Sequence, residues 1–127
     1  MSSATRLAIF TSLFSTGCFT PLSPTPDQLA AADYGPIPPQ AQLTEIVHHY
    51  LEVSAYYNPN GALVEECTTP EKAWVRNYRA DRTTEISFGW KVTCNVNPVS
   101  PYGGYQGFAR HDYVIRDVDV IEHHLAR

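Results

Sequence analysis

The sequence predicts an α+β domain: one N-terminal amphipathic helix packed on a small antiparallel sheet of three or four strands. Three observations carry this. Between Glu85 and Val96, the residues Ile86, Phe88, Trp90, Val92, Cys94 and Val96 occupy every second position, and Glu85, Ser87, Lys91, Thr93 and Asn95 stand between them. A strict period of two is a strand with one buried face. In QAQLTEIVHHYLEVSAYY, Leu43, Ile46, Val47, Tyr50 and Leu51, with Ala55 after them, fall at helical spacing and form one apolar stripe. Phe108 to Arg116 is a second β-rich run holding Tyr113, Val114 and Ile115, and Asp117-Val118-Asp119 turns it into a short last strand, Val120 to His123.

The chain opens with Met1 to Arg6, polar and singly charged, and the apolar run LAIFTSLF, Leu7 to Phe14. Such a run is far shorter than the roughly 20 residues that span a bilayer as a helix. A charged start, a short apolar stretch and small residues after it read as a secretory signal peptide over residues 1–17. Ser15-Thr16-Gly17 before Cys18 resembles the lipobox of bacterial lipoproteins, with Ser15 where that family usually has leucine. The resemblance implies that Cys18 is lipidated and becomes the mature N-terminus. Phe19 after the cysteine, rather than aspartate, resembles the pattern of lipoproteins sorted to the outer membrane. The competing cleavage pattern, Ala30-Ala31-Ala32, lies beyond Pro21, Pro24 and Pro26, too far from the apolar run.

Residues 18–39 read as a tether, with Pro21, Pro24, Pro26, Pro36, Pro38 and Pro39 and few apolar residues to bury. In extended polyproline II, at ~3.1 Å per residue, about 20 residues reach on the order of 60 Å. Asp27 to Ala32 is the only hint of a helical turn. The single folded domain is expected over residues 40–127. After the main helix, Asn58-Pro59-Asn60-Gly61 marks a stop and turn. Ala62 to Cys67 reads as a short strand, Thr68-Thr69-Pro70-Glu71 breaks it, and Lys72 to Tyr78 is open between a helical turn and a strand.

The chain has 3 cysteines. With Cys18 lipidated, Cys67 and Cys94 remain, a pair able to form one disulfide in an oxidising compartment. The loop it closes is worth roughly 3 to 4 kcal/mol in the chain-entropy picture. Two buried free thiols are the alternative. The formal charge is −4, from 9 Lys and Arg against 13 Asp and Glu, and loss of Arg6 makes it −4 − 1 = −5. That balance is a poor match for nucleic acid, which is bound through clustered cations. It also places membrane attachment on acyl chains rather than on anionic headgroups.

Between the two best strands lies NPVSPYGGYQG, Asn97 to Gly107, longer than the ~2 to 5 residues of a usual hairpin loop. Its prolines and glycines suit tight turns, and Tyr102 and Tyr105 flank Gly103 and Gly104. Two readings stand: the tyrosines fold back and cap the core, or Tyr102, Gly103, Gly104 and Tyr105 form an exposed partner-binding surface, since tyrosine is enriched at interface cores.

Asp33-Tyr34-Gly35-Pro36, then the helix, then GWKVTCNVN, SPYGGYQG and DYVIRD resemble a group of small exported bacterial proteins, many of them lipoproteins. Those have a D-x-G-P start, one helix, and a strand beginning G-W that leads into an S-x-G-G-Y-x-G loop. The resemblance spans about Asp33 to Asp117, with nothing matched from Cys67 to Tyr78. It implies fold and location and carries no catalytic residue.

Catalytic and cofactor signatures fail individually. The Gly103–Gly107 stretch lacks G-x-G-x-x-G spacing and precedes no helix, and there is no G-x-S-x-G, H-E-x-x-H or C-x-x-C. His48-His49 and His123-His124 invite a metal, but neighbours diverge by about 100° on a helix and point to opposite faces of a strand. Neither pair chelates alone, and only a site shared with His111 would bring more imidazoles together. Glu65-Glu66 fails as an acid–base pair for the same reason. A non-enzymatic role without cofactor or metal is expected. The first reading is a structural or interaction subunit of an envelope assembly, anchored to the outer membrane on its periplasmic face, with envelope proteins as partners. The alternative is a periplasmic binding or inhibitory module that recognises cell-wall material or a hydrolase through the tyrosine loop.

Overall fold

The structure is a computed structural model that describes residues 23–54, 61–100 and 102–126. The signal-peptide segment, Cys18 and the Asn58-Pro59-Asn60 turn lie outside these residues. The fold is α+β. Helices α1 (Pro26–Ala31) and α2 (Leu43–Val53) precede strands β1 (Leu63–Glu65), β2 (Glu71–Tyr78), β3 (Thr84–Asn97), β4 (Ala109–Arg116) and β5 (Asp119–Leu125). The sheet has five strands rather than the three or four expected. The addition is β2, in the segment whose pattern was open between helix and strand.

All pairings are antiparallel, and β3 is the spine. Its first half pairs with β2, from Tyr78↔Thr84 to Glu71↔Lys91, and its last residues pair with β1 on the same edge. On the other edge its second half pairs with β4, from Trp90↔Ile115 to Val96↔Ala109, and β4 pairs with β5. The β2–β3 hairpin therefore runs on past the end of β4. Where β3 meets the end of β4, Gly89 leaves no room for a side chain: a Cβ there would lie 2.6 Å from the Ile115 carbonyl oxygen.

The period-two face of β3 is the core face. Val92, Cys94 and Val96 with Tyr113 and Ile115 of β4 meet Leu43, Val47 and Leu51, the apolar stripe of α2. Helix α2 is entered by a 3₁₀ turn over Gln40–Gln42. A Cys67–Cys94 disulfide ties the segment after β1 to β3, and reciprocal bonds of Thr68 with Thr93 (2.9 Å each) hold the same junction.

The proline-rich segment is not an extended tether throughout. Thr25 caps α1 in a capping box with Gln28, and the chain after α1 docks on the start of β3. The Asp33 carboxylate accepts the Gly35 N–H at 2.9 Å, and Gly35 takes a φ of +78° that a β-carbon disfavours. This turn lays Tyr34, 8% exposed, against Phe88 and Trp90, with ring centroids 5.4 and 6.0 Å apart. The Trp90 indole N–H donates to the Gly35 carbonyl at 3.0 Å, and Arg116 donates to the Asp33 carbonyl. The packed unit thus begins at about Asp33, before the Gln40 boundary expected, because one buried aromatic outweighs the extended preference of its proline neighbours.

Candidate functional site

The described residues of the Asn97–Gly107 loop are joined by backbone hydrogen bonds. Val99 and Tyr105 form an isolated antiparallel bridge. Inside it, Ser100 N–H donates to the Gly104 carbonyl (2.8 Å) and Gly103 N–H to the Ser100 carbonyl (2.9 Å). The Ser100 hydroxyl accepts from the N–H groups of Tyr102 and Gly104, both at 3.3 Å. At the root, Gly107 N–H donates to the Asn97 side-chain oxygen at 2.8 Å, and Gln106 N–H to the Pro98 carbonyl at 3.0 Å. Gly103 and Gly107 take φ values of +97° and +103°. The long connection is therefore a small hairpin nested within the larger one.

It points its aromatics outward. Tyr102 is 98% exposed and Tyr105 58% exposed. The capping reading does not describe these two exposed side chains. Beyond the adjoining residues, no atom lies within 4 Å of where a Cβ on Gly103, Gly104 or Gly107 would sit, so close packing does not require these glycines, and Gly103 and Gly107 serve the backbone through their positive φ. Phe108 and Leu63, also exposed, stand at the same end of the sheet, since Leu63 pairs with Asn97 and Phe108 precedes the Ala109↔Val96 pair. The inner arm of the loop is anchored: Val99 is buried, and a Cβ on Gly61 would lie 2.5 Å from it. The exposed aromatics thus stand on an arm that is packed at its base.

The histidines divide. His48 and His49 lie on the outer side of α2 beside Glu52, at 3.1 and 3.8 Å. His123 faces inward and His124 outward, as alternation along β5 requires. His123 Nε2 is hydrogen-bonded to Nδ1 of the buried His111 at 2.9 Å, and its Nδ1 to the Tyr50 hydroxyl at 3.3 Å. Its ring stacks on Tyr113 at 4.5 Å. These contacts tie α2 to β4 and β5. Burial, with His111 and His124 beside it, pushes His123 down to about 4. Burial also holds His111 below its usual value, against the opposing pull of Asp112. Both imidazoles are accordingly neutral near pH 7, one donating and one accepting. Of the histidines singled out in the sequence, only His111 and His123 come together, and among the described residues no three His, Cys, Asp or Glu side chains converge. Glu65 and Glu66 stand on the surface, Glu66 with a φ of +49°.

No family model, no curated protein and no solved structure matches this chain. Among the described residues no helix is long and apolar enough to cross a membrane. The site therefore rests on its own geometry: an exposed aromatic loop at one end of the sheet and a neutral histidine pair inside.

Proposed function

We propose that this chain is an outer-membrane-anchored periplasmic lipoprotein, held by Cys18, that serves as a structural or interaction subunit of an envelope assembly. Its contact with a protein partner is made through Tyr102, Gly103, Gly104 and Tyr105. The observation that carries this reading is the near-complete exposure of Tyr102 on a loop whose backbone is already fixed. A large aromatic held out in water by a pre-ordered turn loses little conformational entropy on binding, and tyrosine is a favoured hot-spot residue.

Two measurements test it. Cys18→Ala should accumulate as the unprocessed precursor and take up no labelled fatty acid. Normal processing and labelling of that variant would remove the lipoprotein reading. Tyr102→Ala with Tyr105→Ala should leave the melting temperature almost unchanged and lose the protein co-purified from solubilised envelopes. Each exposed hot-spot tyrosine is worth ~2 kcal/mol of binding, roughly a thirtyfold change in affinity. An unchanged partner list would exclude the loop. Retention on peptidoglycan or on a single hydrolase, lost in the same variant, would favour the binding-module alternative.

A further inference from the structure

The hairpin of β2 and β3 segregates its side chains by face. Directly paired residues share a face, so one face holds Lys72, Trp74, Arg76 and Tyr78 of β2 with Thr84, Ile86, Phe88 and Trp90 of β3. These eight include two cations, no carboxylate, and five aromatic or aliphatic side chains. The carboxylates Glu71 and Glu85 fall on the opposite face with Ala73, Val75, Asn77, Ser87, Gly89 and Lys91. At the turn, Arg82 is exposed, while Arg79 is paired with Glu85. Tyr78 is exposed, Trp74 half-buried beneath the Arg76 guanidinium at 5.4 Å, and Ile86 and Phe88 line an apolar hollow of about 300 Å³ against Pro24, Gln28, Ala31 and Ala32 of the α1 segment. Helix α2 covers the other half of this sheet face, so it does not supply the missing cover.

The direction from which the chain arrives says what lies against this face. Pro24 already borders the hollow, and Tyr34 is packed on Phe88 and Trp90. From Cys18 to Ser23 there are 23 − 18 = 5 residues, which span at most about 17 Å. A lipidated Cys18 thus cannot carry this face far from the bilayer, and the 60 Å reach expected of a free tether is not available to a docked one.

We infer that the Trp74–Tyr78 face of the β2–β3 hairpin is a contact surface for an anionic lipid bilayer, laying its aromatics at the interface and Lys72, Arg76 and Arg82 on the headgroups. The inference builds on the lipoprotein reading of Cys18. Trp and Tyr favour the membrane–water boundary, and each Lys or Arg near an anionic surface strengthens binding about fivefold. The chain is acidic as a whole, but none of the eight paired residues of this face is a carboxylate; Asp81 stands in the turn beside Arg82, and Asp27 and Asp33 belong to the docked segment.

The test uses the full mature chain with Cys18→Ala, free of acyl groups, and sedimentation with vesicles of phosphatidylethanolamine and phosphatidylglycerol. The protein should pellet with these vesicles, less at high salt, and less with phosphatidylcholine alone. Arg76→Gln with Arg82→Gln should bind about 25-fold more weakly, and Arg82→Gln alone, on an exposed turn where folding is not at risk, about fivefold. Tryptophan emission should shift to the blue on binding, and Trp74→Phe should abolish the shift. Failure to pellet, binding indifferent to both Arg variants, or binding lost instead through Tyr102→Ala and Tyr105→Ala would overturn the inference. Fatty-acid labelling reads the anchor and vesicle binding by the acyl-free chain reads the face, so either can fail while the other stands.

Discussion

Replacing Tyr34 by alanine tests whether the segment before residue 40 belongs to the folded unit. Tyr34 is 8% exposed and rests edge-on against Phe88, with Trp90 tilted beside it and the Lys72 ammonium 5.2 Å from its ring centroid. Its hydroxyl donates to the Leu29 carbonyl at 3.2 Å and so ties α1 to the same spot. A buried tyrosine removes about 150 to 250 Å² from water, worth roughly 4 to 6 kcal/mol at ~25 cal/mol per Å². That is an upper bound, because the unfolded chain already covers part of this area. Aromatic truncations in cores cost ~3 to 5 kcal/mol, and the site lies at a margin where neighbours relax, so about 3 kcal/mol is expected. At roughly 4 °C per kcal/mol the melting temperature should fall by about 12 °C. The assay is thermal melting by circular dichroism, with tryptophan emission as a second probe, since Trp90 loses its cover and its partner at Gly35. A fall below about 2 °C, the range of ordinary surface substitutions, would mean that the segment is a free tether and that the docking argument is wrong.

Two further outcomes follow from the interior. Cys67 and Cys94, 27 residues apart in a disulfide, should resist a thiol probe until reduced, and reduction should cost roughly 3 to 4 kcal/mol; free thiols in protein purified without reductant would refute the bridge. His123 is depressed to about 4 against an unfolded value of ~6.5. The unfolded chain therefore binds more protons between those values, and the neutral pair's contribution is full above pH ~6.5 and lost as pH falls through 4. His111 adds in the same direction. The full shift would be worth ~3.4 kcal/mol, and solvent access to the partly exposed His123 ring reduces that to about 1 to 2. His123→Phe should flatten stability between pH 6.5 and 4, and a slope identical to the parent's would sink the assignment.

The strongest sequence signals were those of long elements with one fully buried face. The period-two run predicted over Glu85–Val96 is β3, longer by one residue at each end, and Leu43, Val47 and Leu51 are the stripe that α2 buries. The Cys67–Cys94 pairing was legible from arithmetic. Strand β2 was not, because partly covered side chains stand on both of its faces and among the described residues it pairs with β3 alone; its extended form is imposed by pairing rather than by its own pattern. The docking of the Asp33–Pro36 segment was not legible, because the prolines around it speak for an extended chain and Tyr34 stands alone as an aromatic residue beside them. A signal was present all the same: Asp33 two residues before Gly35 is an aspartate-turn pattern, and a turn that aims a tyrosine wants a surface. The histidine pair was half legible. Alternation put His111 beside Tyr113 and Ile115 on one side of β4, but the pairing that brings His123 to it depends on β5 register, which a bulge between Val114 and Ile115 adjusts. At the loop, composition gave the turns but not the direction of the tyrosines, which the Val99↔Tyr105 bridge decides.

The central position of β3 has a mechanical consequence. The docked N-terminal segment joins the domain near Ile86 and Phe88, and the aromatic loop leaves it after Asn97, 97 − 86 = 11 residues along the same strand. At ~3.3 Å per residue that is about 36 Å. A pull between the proposed membrane anchor and the proposed partner contact at the loop would travel along this strand. Antiparallel hydrogen bonds lie across the strand direction, so β2 and β1 on one edge and β4 on the other would be loaded in shear together rather than opened one rung at a time. The disulfide to Cys94 crosses that path near its loaded end. Tension should therefore unseat the Tyr34 segment at one end or the partner at the other well before it draws β3 out of the sheet.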